Sequence, residues 1–170
     1  MKGNFEQCLA LVLKAEGGFV DNPKDPGGMT NLGVTKATWE AYVKHPVDEA
    51  AMRSLGPMDV APLYQSRYWN VARCDELPSG VDYVVFDTAV NLGVSEAVKF
   101  IQRALNVVVD GIIGAQTIAA ASQREPSELI EQMCEERLQF MQSLNTWPTF
   151  GKGWQRRVES VKADALHMVA

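Results

Sequence analysis

Glu16 stands where a carboxyl group is poorly placed for stability and well placed for chemistry. Phe5, Cys8, Leu9, Val12 and Leu13 recur at i, i+3, i+4, i+7 and i+8, which predicts an amphipathic helix entered at Asn4 and stopped by Gly17-Gly18. Glu16 then falls in the last turn, at the negative end of the helix dipole, beside an apolar face and ahead of two glycines that leave room for a ligand. The dipole and partial desolvation both favour the protonated form. A carboxyl kept protonated near neutral pH can hand its proton to a leaving oxygen as a general acid. The plainer alternative is a surface glutamate before a glycine cap, since such misplacement costs only ~0.3–1 kcal/mol.

Other groups that could act with it follow closely. Asp25 lies nine positions on, within Asn22-Pro23-Lys24-Asp25-Pro26-Gly27-Gly28, and Thr30, Asn31 and Gly33 come next. A second carboxylate followed by a hydroxyl or an amide adds groups that could act on a ligand beside Glu16. Asp25 has the alternative task of closing the loop through bonds to backbone amides. Further on, Asp87 and Asn91 are i and i+4 on an otherwise apolar helix. Two polar groups on such a stripe need partners, either inside the protein or on a ligand. Trp39, Tyr64, Tyr68, Trp69, Trp147 and Trp154 include candidate stacking platforms. Helical spacing explains Tyr64, Tyr68 and Trp154 equally well as core residues. Trp69, beside Asn70 at a helix end, is the aromatic expected to meet a substrate.

Residues 16–35, E-G-G-F-V-D-N-P-K-D-P-G-G-M-T-N-L-G-V-T, resemble the signature of glycoside hydrolase family 108, the N-acetylmuramidases of phage endolysins and prophage-type secretion proteins. Phe19 stands where tyrosine is common. Phe86-Asp87-Thr88-Ala89-Val90-Asn91-Leu92-Gly93 is similar to a second segment of that family. Val109 to Thr117 is similar to the V-D-G-x-x-G-P-x-T motif of predicted peptidoglycan-binding domains, with Ala115 in place of proline; its plain reading is a glycine-stabilised turn before a helix. The resemblance spans roughly residues 5–165. It implies a lysozyme-like fold with a muramidase lobe at 1–92 and a peptidoglycan-binding helical lobe at 93–170, packed together as one compact unit.

The resemblance also implies that Glu16 is the acid that cleaves the β-1,4 bond between N-acetylmuramic acid and N-acetylglucosamine. Asp25 would position or activate water with Thr30 or Asn31, or Glu16 would be the sole essential carboxylate. Asp87, Asn91 and Trp69 would bind substrate. No metal or organic cofactor is needed. A competing reading keeps the scaffold as a non-catalytic wall-binding or secretion-accessory protein. A Cys8 nucleophile with His45 or His167 as base is disfavoured by the position of Cys8 on an apolar helical face.

The elements that must hold these residues read as helices separated by glycine- and proline-rich turns. Residues 17–34 carry five glycines and two prolines and predict a long turn or short hairpin. Thr35 opens a helix to about Val43, Asp48 another ending at Gly56, and Asp59 caps a third carrying Leu63, Tyr64, Tyr68 and Trp69. Ser79 starts a strongly apolar central helix ending at Gly93. Ser95 begins the next, Thr117 lies in a short one, Ser127 caps a long one, and Trp154 to Met168 is the last. The class is all-α, or mostly α with a small hairpin after the first helix.

Composition bounds the rest. An apolar fraction of 46% over 170 residues supports a sizeable core without disulfides. A net charge of -5 argues against nucleic acid as a partner, because counterion displacement needs a dense basic surface. Cys8, Cys74 and Cys134 make no paired framework, and His45 and His167 supply no zinc-site spacing. No run approaches the ~20 apolar residues of a membrane span. These features predict a monomer without membrane insertion. It would stay in the cytoplasm until something else releases it to the wall, with peptidoglycan as its partner.

Overall fold

The structure, a computed structural model, describes residues 3–23 and 27–169. It is mostly α-helical, with a small antiparallel sheet, in accord with the class read from the sequence. The chain forms two compact units: Glu6–Arg67, and the residues up to Phe5 together with those from Tyr68 onward.

The smaller unit takes up nearly all of α1 (Phe5–Glu16), whose Cys8, Leu9, Val12 and Leu13 are the buried positions that the spacing predicts. The glycine-rich stretch is a three-stranded meander of β1 (Val20–Asp21), β2 (Met29–Asn31) and β3 (Val34–Thr35). Val20 pairs with Thr30, and Asn31 with Val34. Thr35 then caps α2 (Lys36–Val43), its hydroxyl accepting from the Thr38 amide at 3.2 Å. Asp48 caps α3 (Glu49–Arg53) in the same way. The next helix, α4 (Pro57–Tyr64), begins earlier than its expected cap at Asp59. Pro57 takes the first helical position, which its fixed φ suits, and Asp59 reaches back from the first turn to the Gly56 amide at 2.7 Å. A π-helical turn over Gln65–Trp69 carries the chain onward.

The larger unit is built around α5 (Val81–Leu92), buried at every position from Val81 to Ala89. It packs on α6 (Val94–Leu105), α8 (Pro126–Gln142) and α9 (Trp147–Val169), while α7 (Ala115–Ser122) lies against α6. The lobe boundary expected near residue 92 therefore falls between α5 and α6, two helices of one unit that pack on each other. Rings of Phe5, Trp69 and Phe86 meet edge-on or tilted with centroids 5.3–5.9 Å apart. The last helix starts seven residues before the expected Trp154, because Trp147 folds over the buried Gly151 and begins the packing earlier. Among the described residues no helix is long and apolar enough to cross a membrane.

The Val109 to Thr117 motif forms a turn fixed from within. The buried Gln102 side chain accepts from the Asp110 and Gly111 amides at 3.1 and 2.9 Å and donates to the Asp110 carboxylate at 2.8 Å. The Ile112 amide and Gln102 together hold the Asp110 carboxyl below the usual carboxylate range.

Asp82 behaves oppositely. It is fully buried in the first turn of α5, and burial pushes its carboxyl up against the opposing bonds from the Asn4 amide and the Tyr83 N–H. A carboxyl raised on folding favours the folded state while protonated, so its contribution is complete at low pH and is lost as pH rises through the raised value. The melting temperature of an Asp82→Asn variant should therefore gain on the wild type between about pH 4 and about pH 7. A gap that stays constant or narrows with rising pH contradicts this.

Candidate functional site

Glu16 closes α1 and is partly exposed. Just beyond it Gly17 turns left-handed at φ +83°, and its amide bonds the Leu13 carbonyl at 3.2 Å, so the helix stops where the glycine pair predicts. The β2–β3 turn packs on the glutamate. A Cβ added to Gly33 would lie 3.0 and 3.1 Å from Glu16 Cγ and Cβ, and 2.5 Å from the Tyr64 hydroxyl. Only a glycine backbone can come this close.

That turn holds two residues, Leu32 at φ +50° and Gly33 at φ +75°, the mirror-image geometry preferred between twisted strands. Asparagine or glycine normally fills the first position, and a left-handed leucine costs on the order of 1–2 kcal/mol. Tyr64 offsets the strain, its hydroxyl donating to the Leu32 carbonyl at 2.8 Å. Asn31 supplies a second tie. It is only 5% exposed, and its Nδ2 donates to the Met52 carbonyl at 2.9 Å, with longer approaches to those of Leu55 and Arg53. These carbonyls lie in the last turn of α3 and just beyond it, where helical donors run out. A third tie is the Arg53 guanidinium, 4.0 Å from the ring centroid of Phe19 in the segment that leaves Glu16.

The residues singled out in the sequence thus part company. Glu16 and the Leu32-Gly33 turn come together. Thr30 sits half-buried on β2, where neighbouring side chains point to opposite faces, so it faces away from the side on which Asn31 anchors the strand. Of the alternatives for the water-handling partner, Asn31 has its amide nitrogen engaged in scaffolding. Asp25 lies outside the described residues.

Asp87 takes the internal one of the two roles open to it. It is fully buried, 2.7 Å from Arg137 Nη1 and 2.9 Å from Arg157 Nη2, so its carboxylate has no surface to offer a ligand. Arg137 Nη2 also donates to Asn91 Oδ1 at 3.1 Å, and Nη1 to the Thr88 hydroxyl at 3.1 Å. Trp69 is likewise fully buried between Phe5 and Phe86, so the expected sugar platform is core, and its proximity to a helix end misled. Sequence reasoning missed Tyr64 and Arg53 as positioning residues. Helical spacing left Tyr64 open between stacking platform and core; it is buried, and nothing local announces a carbonyl partner 32 positions away.

The three cysteines are buried, and burial pushes the Cys134 thiol up to about 11. A buried Cys8 has no route to a substrate, which disposes of the thiol-nucleophile alternative.

Comparison with known proteins follows the same lines. A family model described as glycosyl hydrolase 108 matches residues 9–93, and one described as a predicted peptidoglycan domain matches residues 96–159. Among solved structures the chain is similar to one described as the structure of Brucella abortus SagA, with 40% sequence identity and a TM-score of 0.86. That alignment covers 99% of this chain and 97% of the other. No curated protein matches. The resemblance seen in residues 16–35, 86–93 and 109–117 is borne out by the family matches.

Two substitutions check the assigned positions. Tyr64→Phe removes the bond that holds the Leu32 carbonyl and should lower unfolding stability by about 1 kcal/mol in urea titration. Removing the charge that pairs with the buried Arg137 and the half-buried Arg157 by Asp87→Asn should cost about 3–5 kcal/mol. Well below its melting temperature that variant should keep the catalytic activity of the wild type; a specific loss of activity without loss of stability would return Asp87 to the substrate site.

Proposed function

The chain belongs to the glycosyl hydrolase 108 family, and on that premise we propose that it cleaves the β-1,4 bond between N-acetylmuramic acid and N-acetylglucosamine in bacterial peptidoglycan, with Glu16 as general acid. The observation that carries the reading is the setting of Glu16. A partly exposed glutamate at a helix end has its stem braced by a strained, pinned turn, within the residues that the glycosyl hydrolase model matches. Backbone strain held in place by tertiary bonds beside a carboxyl is characteristic of a site that needs fixed geometry. The match to a peptidoglycan domain over residues 96–159 supports the wall polymer as partner.

In this reading the Glu16 proton passes to the glycosidic oxygen as the bond from C1 of the muramic acid to that oxygen breaks, and oxocarbenium character develops on the sugar. A water then adds to C1 and gives up a proton. Thr30 and Asp25 are assigned to that water, and no metal or organic cofactor enters. A carboxyl-to-carboxyl separation of about 6.5–9.5 Å goes with inversion and about 5–5.5 Å with retention. The endolysin role belongs to the same proposal: a monomer held in the cytoplasm and released to the wall through a separately supplied membrane lesion.

Digestion of purified peptidoglycan, with muropeptides analysed by mass spectrometry before and after borohydride reduction, should reveal new reducing ends on muramic acid. Free peptides without new reducing ends would overturn the assignment. Glu16→Gln should reduce the rate by about 10²–10⁴-fold while keeping the circular dichroism spectrum of the wild type. Clearing that persists in this variant rejects Glu16 as the acid, and no clearing by either protein favours a wall-binding role without catalysis.

A further inference from the structure

The larger unit carries an aromatic cluster that its core does not consume. The buried positions of α9 are Gly151, Val158, Val161 and Ala165. Trp147, Phe150 and Trp154 flank the start of that stripe. Phe150 is 53% exposed, and both tryptophans are half-buried. The cluster is shaped in advance. A Cβ at Gly151 would meet the Trp147 indole at 2.6 Å, so glycine is what lets that ring lie down on the helix. Phe150 stacks on Trp154 with centroids 5.7 Å apart and planes at 27°, and Trp147 stands 6.2 Å from Trp154. Three rings locked together at the surface expose apolar area that folding alone would hide.

A polar group lies level with them. The Ser79 hydroxyl donates to the Met168 carbonyl at 3.1 Å, and Arg157 pairs with Asp87 at 2.9 Å, so α5 and α9 run antiparallel. One turn on from Asp87 along α5 is Asn91; one turn back from Arg157 along α9 is Trp154. Asn91 is half-buried and its Oδ1 is committed to Arg137, which turns the Nδ2 donor to the other side. Nδ2 has no acceptor among the described residues.

An amide donor level with a shelf of stacked rings matches the chemistry of an N-acetylated pyranose. The C–H face of such a sugar stacks on an aromatic ring, and its acetamido carbonyl needs a donor. We propose that Asn91 and the Trp147–Phe150–Trp154 shelf form a subsite for an N-acetylamino sugar of the wall glycan, with the pyranose on Trp154 and Phe150 and the acetamido oxygen on Asn91 Nδ2. The proposal rests on the reading of peptidoglycan as substrate. Asn91 falls within the stretch matched by the glycosyl hydrolase model and the three rings within that matched by the peptidoglycan model. The subsite holds the strand and takes no part in proton transfer.

The test uses the full-length Glu16→Gln protein, labelled with nitrogen-15, so that cleavage does not consume the probe. Four tryptophans give four indole N–H signals. On titration with tetra-N-acetylchitotetraose, the signals of Trp147 and Trp154 should move, and that of the fully buried Trp69 should not. Phe150→Ala, at an exposed position that folding does not need, and Asn91→Ala should each weaken binding about tenfold. Cellotetraose, which lacks the acetamido group, should bind weakly and show no dependence on Asn91. Unmoved Trp147 and Trp154 signals, equal affinity for cellotetraose, or undiminished binding by the Phe150 variant would each overturn the subsite. So would the same Phe150-dependent binding to phosphatidylglycerol vesicles in place of glycan, which would make the shelf a membrane face. The two readings fail separately: sugar binding at the shelf without release of reducing ends removes the hydrolase proposal alone, and cleavage with an inert shelf removes only this one.

Discussion

A carboxylate withdrawn from water must be matched by cations and donors, and in the larger unit that demand falls on Asp87. It lies at the centre of α5, a helix buried on every side, where an unpaired charge would cost several kcal/mol. Arg137 from α8 and Arg157 from α9 both reach it, and Thr88 and Asn91 take up further guanidinium N–H groups. Apolar helix faces tolerate sliding past one another, whereas a set of ion pairs with fixed donors and acceptors does not. Asp87 therefore sets the register of three helices, and with it the level at which Asn91 stands beside the rings of α9.

The smaller unit meets the same requirement with neutral groups. Strands of two or three residues cannot hold a hairpin by their own ladder bonds. The Asn31 amide satisfies carbonyls at the end of α3, and the Tyr64 hydroxyl satisfies that of the strained Leu32. Arg53 over Phe19 ties down the segment after Glu16. Each bond removes a polar penalty, and together they fix the turn against the glutamate stem. A turn strained at Leu32 and anchored by Tyr64 is rigid where a glycine-rich loop alone would not be.

The family matches and the physical units divide the chain differently. The two matched stretches meet between residues 93 and 96, while the compact units divide near residue 67. The last part of the first stretch, α5, is thus the core of the larger unit. A boundary drawn where motifs change falls between two helices that pack on each other, because motif content follows ancestry and compactness follows burial.

By itself the sequence determined what depends on neighbours along the chain. The i, i+3, i+4 spacing marks the buried face of α1, Gly17 its end, Thr35 and Asp48 the caps of α2 and α3, and the glycines of residues 17–34 the hairpin. It also placed Glu16 at a helix end and carried the family signature. Tertiary structure decided the fate of the buried polar and aromatic residues. Asp87 and Asn31 looked like chemistry and became scaffold, Trp69 became core, and Tyr64, left open between stacking platform and core, became the pin of the turn. The physical reason is that local periodicity tells which side of an element faces inward, while a buried polar group is defined by its partner. For Asp87 and Arg137 that partner is 50 residues away, a separation that no pattern along the chain records.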